Sequence, residues 1–105
     1  MKVALYARVS RDDLHCENQL IGLRNWERQN RQEGDTFDYF TEEISSRKTR
    51  PVKENIVQKF RIGNYDTIVV ARIDRWARSL QELVTNVQEI VKGNGRFISI
   101  LNGFD

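Results

Sequence analysis

The chain alternates between short apolar segments of strand character and longer segments of helical periodicity. The strands are predicted at residues 2–9, 36–42, 66–73 and 96–101, all rich in branched or aromatic side chains. Three helical segments separate them. Because strands that alternate with helices form a parallel sheet with helices packed on it, the sequence predicts an α/β fold. We expect three αβα layers around a central, mainly parallel four-stranded sheet.

Each helical segment has its own boundary or periodicity signal. The first spans residues 13–32, and its apolar side consists of Leu14, Leu20, Ile21, Leu23 and Trp26. Pro51 suits the first turn of the second, because proline lacks the N–H that a helix start leaves unbonded. Ser79 followed by Glu82 forms a capping box at the start of the third helix. The apolar positions of that helix are Leu80, Leu83, Val84, Val87, Ile90 and Val91.

Length and composition fit one small globular domain. The chain has 105 residues, of which 39% are hydrophobic and 30% charged, and its net charge is only +2. No apolar run approaches the length of a membrane span, so no membrane is expected as a partner. Cys16 is the single cysteine, which excludes an intrachain disulfide and predicts a cytoplasmic, reducing location.

Polar side chains are predicted to gather at the carboxyl edge of the sheet, where open parallel sheets bind ligands. Side chains alternate along a strand, so one face of the first strand carries Tyr6, Arg8 and Ser10. The turn after the third strand carries Asp74, Arg75 and Arg78. The polar loop at residues 43–50 follows the second strand at the same edge, and its basic residues are Arg47, Lys48 and Arg50.

This edge combines a hydroxyl, several guanidinium groups and a carboxylate. Guanidinium groups match phosphate oxygens and stay charged, so the set suits a phosphodiester whose negative charge grows during reaction. One histidine and one cysteine are too few for a His/Cys zinc site, and nothing indicates a catalytic triad. Simpler interpretations remain: Ser10 could cap the first helix, Asp74 could form a surface salt bridge, and Tyr6 could be a core aromatic.

Three motifs resemble one known family. Their order and spacing are similar to those of the serine recombinase catalytic domain, the resolvase/invertase class. The motifs are YARVS at residues 6–10 with the later Gln19, Ser45 with the Arg50-Pro51 pair, and DRWARS at residues 74–79. The resemblance covers essentially the whole chain. It has departures, since the family more often has Gly at 46, Asp at 42 and Leu at 76, where this sequence has Ser46, Glu42 and Trp76.

The resemblance implies a role for each matched residue. Ser10 would attack a DNA phosphate and form a covalent 5′-phosphoserine, while Tyr6 and Gln19 shape the site and Asp74 orients an arginine or assists proton transfer. The phosphate would be held by Arg8, Arg50, Arg75 and Arg78. Arg47, Lys48 and Lys59 would contact DNA. No metal ion or other cofactor is expected, because the arginines neutralise the charge that a cation would otherwise neutralise.

The resemblance also implies partners and a larger protein. Relatives in this class act on double-stranded DNA as homodimers that join into tetramers, and they include resolvases, invertases, integrases and transposases. In the family, the catalytic domain continues into a long dimerisation helix and a DNA-binding domain. We therefore expect residues 1–105 to be a catalytic domain truncated before that helix, and to be inactive in isolation.

Two other functions fit some of the same residues. A metal-dependent nuclease would use carboxylates such as Glu42, Glu43 and Asp74. A non-catalytic flavodoxin-like binding or signalling module would use Asp12 and Asp13, since acidic pairs after a first strand hold Mg²⁺ or accept phosphoryl groups. Arg8 and the turn at residues 74–78, here called the arginine-rich turn, suit that module poorly.

Overall fold

A parallel sheet of four strands forms the centre of the molecule. The computed structural model of the chain describes residues 1–9, 16–43 and 51–101. The strands are β1 (Lys2–Val9), β2 (Thr36–Glu43), β3 (Thr67–Val70) and β4 (Arg96–Ser99). They lie in the order β2-β1-β3-β4, and every neighbouring pair is parallel. The predicted parallel sheet is confirmed.

Helices cover both faces of this sheet. They are α1 (Cys16–Asn30), α2 (Pro51–Arg61) and α3 (Leu80–Lys92), and a short 3-10 turn at Ile73–Arg75 precedes α3. Leu23 of α1 packs on one face, whereas Ile56 of α2 and Ile90 of α3 pack on the other. The three-layer αβα arrangement is therefore confirmed. None of the helices in the described part of the chain is long and apolar enough to cross a membrane.

The two faces have separate cores because side chains alternate along each strand. The α2/α3 face buries a larger aromatic cluster, with sheet and loop members Ala4, Tyr6, Tyr65, Ile68, Val70, Trp76 and Phe97. The α1 face buries a smaller aliphatic set, with sheet members Val3, Leu5, Ala7, Val69 and Ile98. The Tyr6 side chain thus points towards α2 and α3.

Element ends differ from the sequence prediction on the carboxyl side of the sheet. The predicted strand 66–73 ends at Val70, because the chain turns away after Ala71 into the 3-10 turn. The predicted strand 96–101 ends at Ser99, although Ile100 N still donates to Val70 O at 3.0 Å. The first helix ends at Asn30, and residues 13–15 of its predicted start lie outside the described residues.

Some apolar residues on the helices are more exposed than their periodicity indicates. In α1, Ile21 is exposed although Leu23 is buried. In α3, only Ile90 is buried, and Leu83 and Val87 are half-buried against the core. Three further apolar residues of α3 are exposed, namely Leu80, Val84 and Val91. Periodicity marks the apolar side of a helix, but it does not fix how much of that side the sheet covers.

The start of α3 confirms the predicted serine cap. Ser79 Oγ accepts a hydrogen bond from Glu82 N at 3.1 Å. In a capping box the Glu82 carboxylate would accept from the N–H of Ser79. Here it accepts instead from the N–H of the preceding residue, Arg78, at 3.0 Å. The bond to Glu82 N satisfies an N–H group that the helix start would leave unpaired, and the bond from Arg78 N ties the preceding turn to the helix.

We expect Ser79→Ala to lower the free energy of unfolding by about 1 kcal/mol, since it removes the cap without opening the core. Urea unfolding of the two proteins at one temperature measures the difference. A Ser79→Thr variant keeps the hydroxyl and is expected to lose less. Equal stability of the wild-type and Ser79→Ala proteins would show that this hydrogen bond does not stabilise α3.

Tyr65 predicts a pH dependence of stability. Its hydroxyl donates to Asp38 Oδ2 at 2.7 Å, and burial together with this carboxylate raises the pKa of Tyr65 to about 12. A tyrosine in the unfolded chain loses its proton near pH 10, so the folded chain holds the Tyr65 proton more tightly between those values. The stability that this proton contributes is complete below pH 10 and is lost as the pH rises towards 12.

We therefore expect the wild-type protein to lose more unfolding free energy across this alkaline window than Tyr65→Phe. Urea unfolding at several pH values measures both curves. The difference between the curves isolates Tyr65 from the other groups that titrate there. Parallel curves would contradict the raised pKa.

Candidate functional site

The carboxyl ends of β1, β2 and β3 meet at one edge of the sheet. Arg8 of β1 is in register with Glu42 of β2, and Tyr6 is in register with Val70, the last residue of β3. Strand β1 therefore extends beyond β3. The chain that follows Val70 leaves the sheet beside the end of β1, which brings the arginine-rich turn to this edge.

Tyr6 links the ends of β1 and β2 to the start of α2. It is fully buried, and its hydroxyl donates to Glu42 Oε1 at 2.5 Å. The same carboxylate accepts from Val52 N at 2.9 Å and from Lys53 N at 3.3 Å. A carboxylate at a helix N-terminus is stabilised by the unpaired N–H groups and the helix dipole. Tyr6 is thus a core aromatic and also part of the framework of this edge.

Gln19 connects α1 to the end of β1. Its Nε2 donates to Arg8 O at 3.0 Å, which fixes the orientation of the amide because a carbonyl only accepts. Gln19 also lines a cleft of about 300 Å³ together with Arg72 and Arg75. This cleft brings α1 and the arginine-rich turn together at the end of β1.

The arginine-rich turn is fixed to the core by Trp76. The indole is fully buried, and its ring packs edge-on against Tyr6 with centroids 5.2 Å apart. It also packs against Phe97 at 5.7 Å, and its Nε1 donates to Asn86 Oδ1 at 3.1 Å. A buried indole with both its ring and its N–H satisfied holds a fixed position. Arg75 and Ala77 flank it, so the turn has a rigid centre.

Asp74 and Arg78 lie on the outer side of this turn. Asp74 pairs with Arg72 at 3.2 Å, and both side chains are more than half exposed. This ion pair is one of the simpler interpretations of Asp74 that the sequence allows, and such exposed pairs contribute little stability. Arg78 is exposed, and together with Asp74 it lines a second cleft that extends to Leu80 and Leu83.

The structure brings some of the sequence-predicted site residues together and places others apart. Gln19 bonds the backbone of Arg8 and shares a cleft with Arg75 at the end of β1. Tyr6 is buried on the α2/α3 face against Trp76, and Asp74 and Arg78 lie on the outer side of the turn. Lys59 lies in the last turn of α2, at the opposite end of that helix from Glu42. Several predicted residues lie outside the described residues, namely Ser10, Arg47, Lys48, Arg50 and the acidic pair Asp12 and Asp13.

Sequence reasoning missed the role of Lys53. Lys53 is buried in the first turn of α2, and its Nζ donates to Trp76 O at 2.9 Å. A signal existed, because Lys53 precedes the apolar residues Ile56 and Phe60 at the helical spacing of three and seven residues. A lysine on the buried side of a helix requires a partner inside the fold.

Carboxylates do not form a metal-binding cluster in the part of the chain that the structure describes. No group of three or more His, Cys, Asp or Glu side chains is placed there to hold a metal ion. Glu42, a candidate ligand in the nuclease hypothesis, is buried and engaged with Tyr6 and the start of α2. Its geometry therefore favours a structural role.

The fold and this edge define an α/β domain that collects arginine side chains beyond the ends of its parallel strands. Comparison with protein families identifies it further. The sequence model of the family described as "Resolvase, N terminal domain" matches residues 3–105. The chain belongs to that family. No curated protein sequence matches the chain.

Solved structures with the same fold include several recombinase domains. The N-terminal catalytic domain of TP901-1 integrase is 25% identical with a TM-score of 0.79, and the match covers 98% of this chain and 79% of that one. A resolvase family site-specific recombinase from Streptococcus pneumoniae is 17% identical with a TM-score of 0.79, covering 100% and 75%. The C-terminal catalytic domain of ISC1926 TnpA, an IS607-like serine recombinase, is 19% identical with a TM-score of 0.70, covering 96% and 70%.

Proposed function

We propose that this chain is a catalytic domain for site-specific DNA recombination, and that it cuts and rejoins DNA through a covalent 5′-phosphoserine at Ser10. Membership of the resolvase family supports the proposal, as does the similarity to the catalytic domain of TP901-1 integrase. Ser10 directly follows Val9, the last residue of β1, where that strand reaches the arginine-rich edge.

The observation that carries the proposal is the arrangement of Arg8, Gln19 and Arg75. Arg8 Nε is buried, and no hydrogen-bond partner reaches it in the part of the chain that the structure describes. A buried donor left unpaired is costly, and a phosphate oxygen would satisfy it. Arg75 lines the cleft beside Gln19, which holds the backbone of Arg8. Arginine residues thus lie at the end of β1 and in the cleft beside it, and Ser10 follows that strand in the sequence.

The proposed reaction needs no cofactor. The Ser10 Oγ attacks the phosphorus, the bond from phosphorus to the 3′ oxygen breaks, and the serine proton passes to the departing 3′ hydroxyl. The phosphate stays on the 5′ end, joined to the protein. Reversal with a 3′ hydroxyl from another strand rejoins the DNA. Arg8, Arg50, Arg75 and Arg78 stabilise the growing negative charge, and Asp74 orients one of these arginines.

The proposed partner is double-stranded DNA, bound by a homodimer that assembles into a tetramer. Arg47, Lys48 and Lys59 would contact the sugar–phosphate backbone, which gives affinity without sequence preference. The long helix and the DNA-binding domain of the family would supply dimer contacts and site recognition to the complete protein. DNA as the substrate also fits the cytoplasmic location that the single cysteine predicts.

A covalent adduct trapped on DNA tests the proposal. The chain is joined by a flexible linker to a DNA-binding domain whose recognition site is known. Tethering raises the local concentration of the weakly binding catalytic domain at the DNA. The duplex carries two inverted copies of that site around a randomised segment with 3′-bridging phosphorothiolate linkages, whose thiol leaving group religates poorly. We expect a protein joined to 5′ DNA ends on denaturing gels, with EDTA present.

The same assay separates the competing functions. Cleavage that leaves no protein on DNA and stops in EDTA would indicate a metal-dependent nuclease. If the protein formed no adduct and cleaved no DNA, the proposal would be contradicted. The non-catalytic binding module would then be the remaining hypothesis. An adduct whose attached residue maps to Ser10 by peptide sequencing would support the proposal directly.

A further inference from the structure

A buried ammonium group lies between α2 and the arginine-rich turn. Lys53 is only 5% exposed, and lysine is rarely buried without a partner. Its Nζ donates to Trp76 O at 2.9 Å and forms an ion pair with Glu82. The ammonium also lies 4.7 Å from the centroid of the Trp76 ring, close enough for a cation–π interaction.

The groups that Lys53 contacts belong to the turn that carries the arginines. Trp76, whose carbonyl accepts this hydrogen bond, is the residue that follows Arg75. The second oxygen of the Glu82 carboxylate accepts from Arg78 N at 3.0 Å. A single ammonium group therefore contacts the turn directly at Trp76, and indirectly at Arg78 through Glu82. The backbone between Arg75 and Arg78 is held from both of its ends.

The backbone of Lys53 is fixed at the other side of the site. Lys53 N donates to Glu42 Oε1 at 3.3 Å, and the same oxygen accepts from the Tyr6 hydroxyl at 2.5 Å. Lys53 thus connects the ends of β1 and β2 through its amide to the arginine-rich turn through its side chain. Tyr6 also joins the two halves, through its hydroxyl to Glu42 and its ring to Trp76, and Lys53 adds a charged connection beside it.

We propose that Lys53 is a positioning residue, which fixes the arginine-rich turn relative to the end of β1 and so sets the spacing of Arg8 from Arg75 and Arg78. The inference rests on the proposed function for its catalytic consequence, but the placement of the turn is measurable without DNA. An ion pair with one buried partner is weak support for stability in general, because desolvation offsets its attraction. Such a pair is better suited to selecting one arrangement of two elements than to adding stability.

An ion pair elsewhere on the same two helices provides a matched control. Arg61 of α2 pairs with Glu89 of α3 through two nitrogens, with Nη2 at 3.2 Å from Oε2. This pair also joins α2 to α3, but it lies more than two turns along α2 from Lys53, and its Arg61 side chain is 56% exposed. Arg61→Met therefore removes a charged α2–α3 contact without touching the turn.

Hydrogen exchange in the 105-residue chain tests the placement of the turn. We expect the amides of Trp76, Ala77 and Arg78 to exchange about tenfold faster or more in Lys53→Met, because local opening becomes easier. The amides of β3 are expected to keep their wild-type rates. Arg61→Met is expected to leave both sets unchanged. Wild-type exchange of the turn in Lys53→Met would overturn the inference.

A second variant covers the case in which Lys53→Met unfolds, which faster exchange throughout β3 would reveal. Glu82→Gln removes the charge of the ion pair but keeps a half-exposed side chain that can still accept from Arg78 N. Faster exchange confined to the turn in this variant supports the inference. Unchanged exchange of the turn in Glu82→Gln contradicts it.

The adduct assay then tests the catalytic consequence. In the tethered protein, Lys53→Met is expected to lower the rate constant of adduct formation at saturating DNA about tenfold or more. The DNA concentration for half-saturation and the final fraction of reactive protein are expected to stay unchanged. Lys53→Arg, which keeps a cation and donors, is expected to restore part of the rate. A merely destabilising substitution would lower the reactive fraction instead.

The two measurements keep the proposals separate. If the wild-type protein forms no adduct, the proposed function fails, and the exchange rates still decide whether Lys53 holds the turn. If the wild-type protein forms the adduct and Lys53→Met forms it at the same rate, the positioning role is wrong. Slower adduct formation together with faster exchange of the turn supports both.

Discussion

The Ser10→Ala protein is expected to form no covalent adduct with DNA. The attacking oxygen is lost, and the proposed route divides one difficult displacement into two steps that both require that oxygen. Guanidinium groups hold a phosphate but cannot act as nucleophiles at working pH, since they remain protonated. DNA binding through the tethered domain is expected to stay at its wild-type level, because Ser10 carries no charge and phosphate contacts supply non-specific affinity.

Ser79→Ala is the matched control for this substitution. It removes a serine hydroxyl that caps α3, and we expect it to lower stability while the adduct still forms. The assay is the denaturing gel with EDTA present, and gel shifts on the same duplex measure binding. If Ser10→Ala still became attached to 5′ DNA ends, the nucleophile would be a different residue and the proposed site would be wrong.

Local sequence rules predicted the elements and the edge at which the polar residues meet. Ser79 marked the start of α3, because its cap is a contact between residues three apart. Alternation placed Tyr6 and Arg8 on one face of β1, and parallel strands brought the Asp74–Arg78 turn to the same edge. These features depend on short sequence distances or on the handedness of the chain, so they can be read from one sequence.

Contacts between distant segments could not be predicted in the same way. The carboxylate of Glu42 bonds a hydroxyl 36 residues away, and Lys53 meets a carbonyl 23 residues away. Such pairs depend on strand register and on how α2 lies on the sheet, and neither is encoded by local spacing. Strand β3 ended at Val70 because buried Trp76 draws the chain into a turn, a packing effect that strand propensity cannot show.

The planar guanidinium groups at positions 75 and 78 are expected to matter beyond their charge. Arg75→Lys and Arg78→Lys are each expected to slow adduct formation at saturating DNA about a hundredfold or more, the typical cost of losing one well-placed electrostatic donor. Lysine keeps the positive charge but loses the planar fork that holds two phosphate oxygens at once. The phosphate would be neutralised without being held in line with Ser10. The charge is unchanged, so the half-saturating DNA concentration is expected to change little.

Arg61→Lys makes the same chemical change at the other end of the α2–α3 cleft that Arg78 also lines, where the guanidinium pairs with Glu89 and not with the turn. We expect it to form the adduct at the wild-type rate. Single-turnover time courses over a range of DNA concentrations separate the rate constant from binding for all three variants. Wild-type rate constants in both Arg75→Lys and Arg78→Lys would mean that charge alone is needed at these positions. In that case the arginine-rich turn would attract DNA without aligning the phosphate for attack.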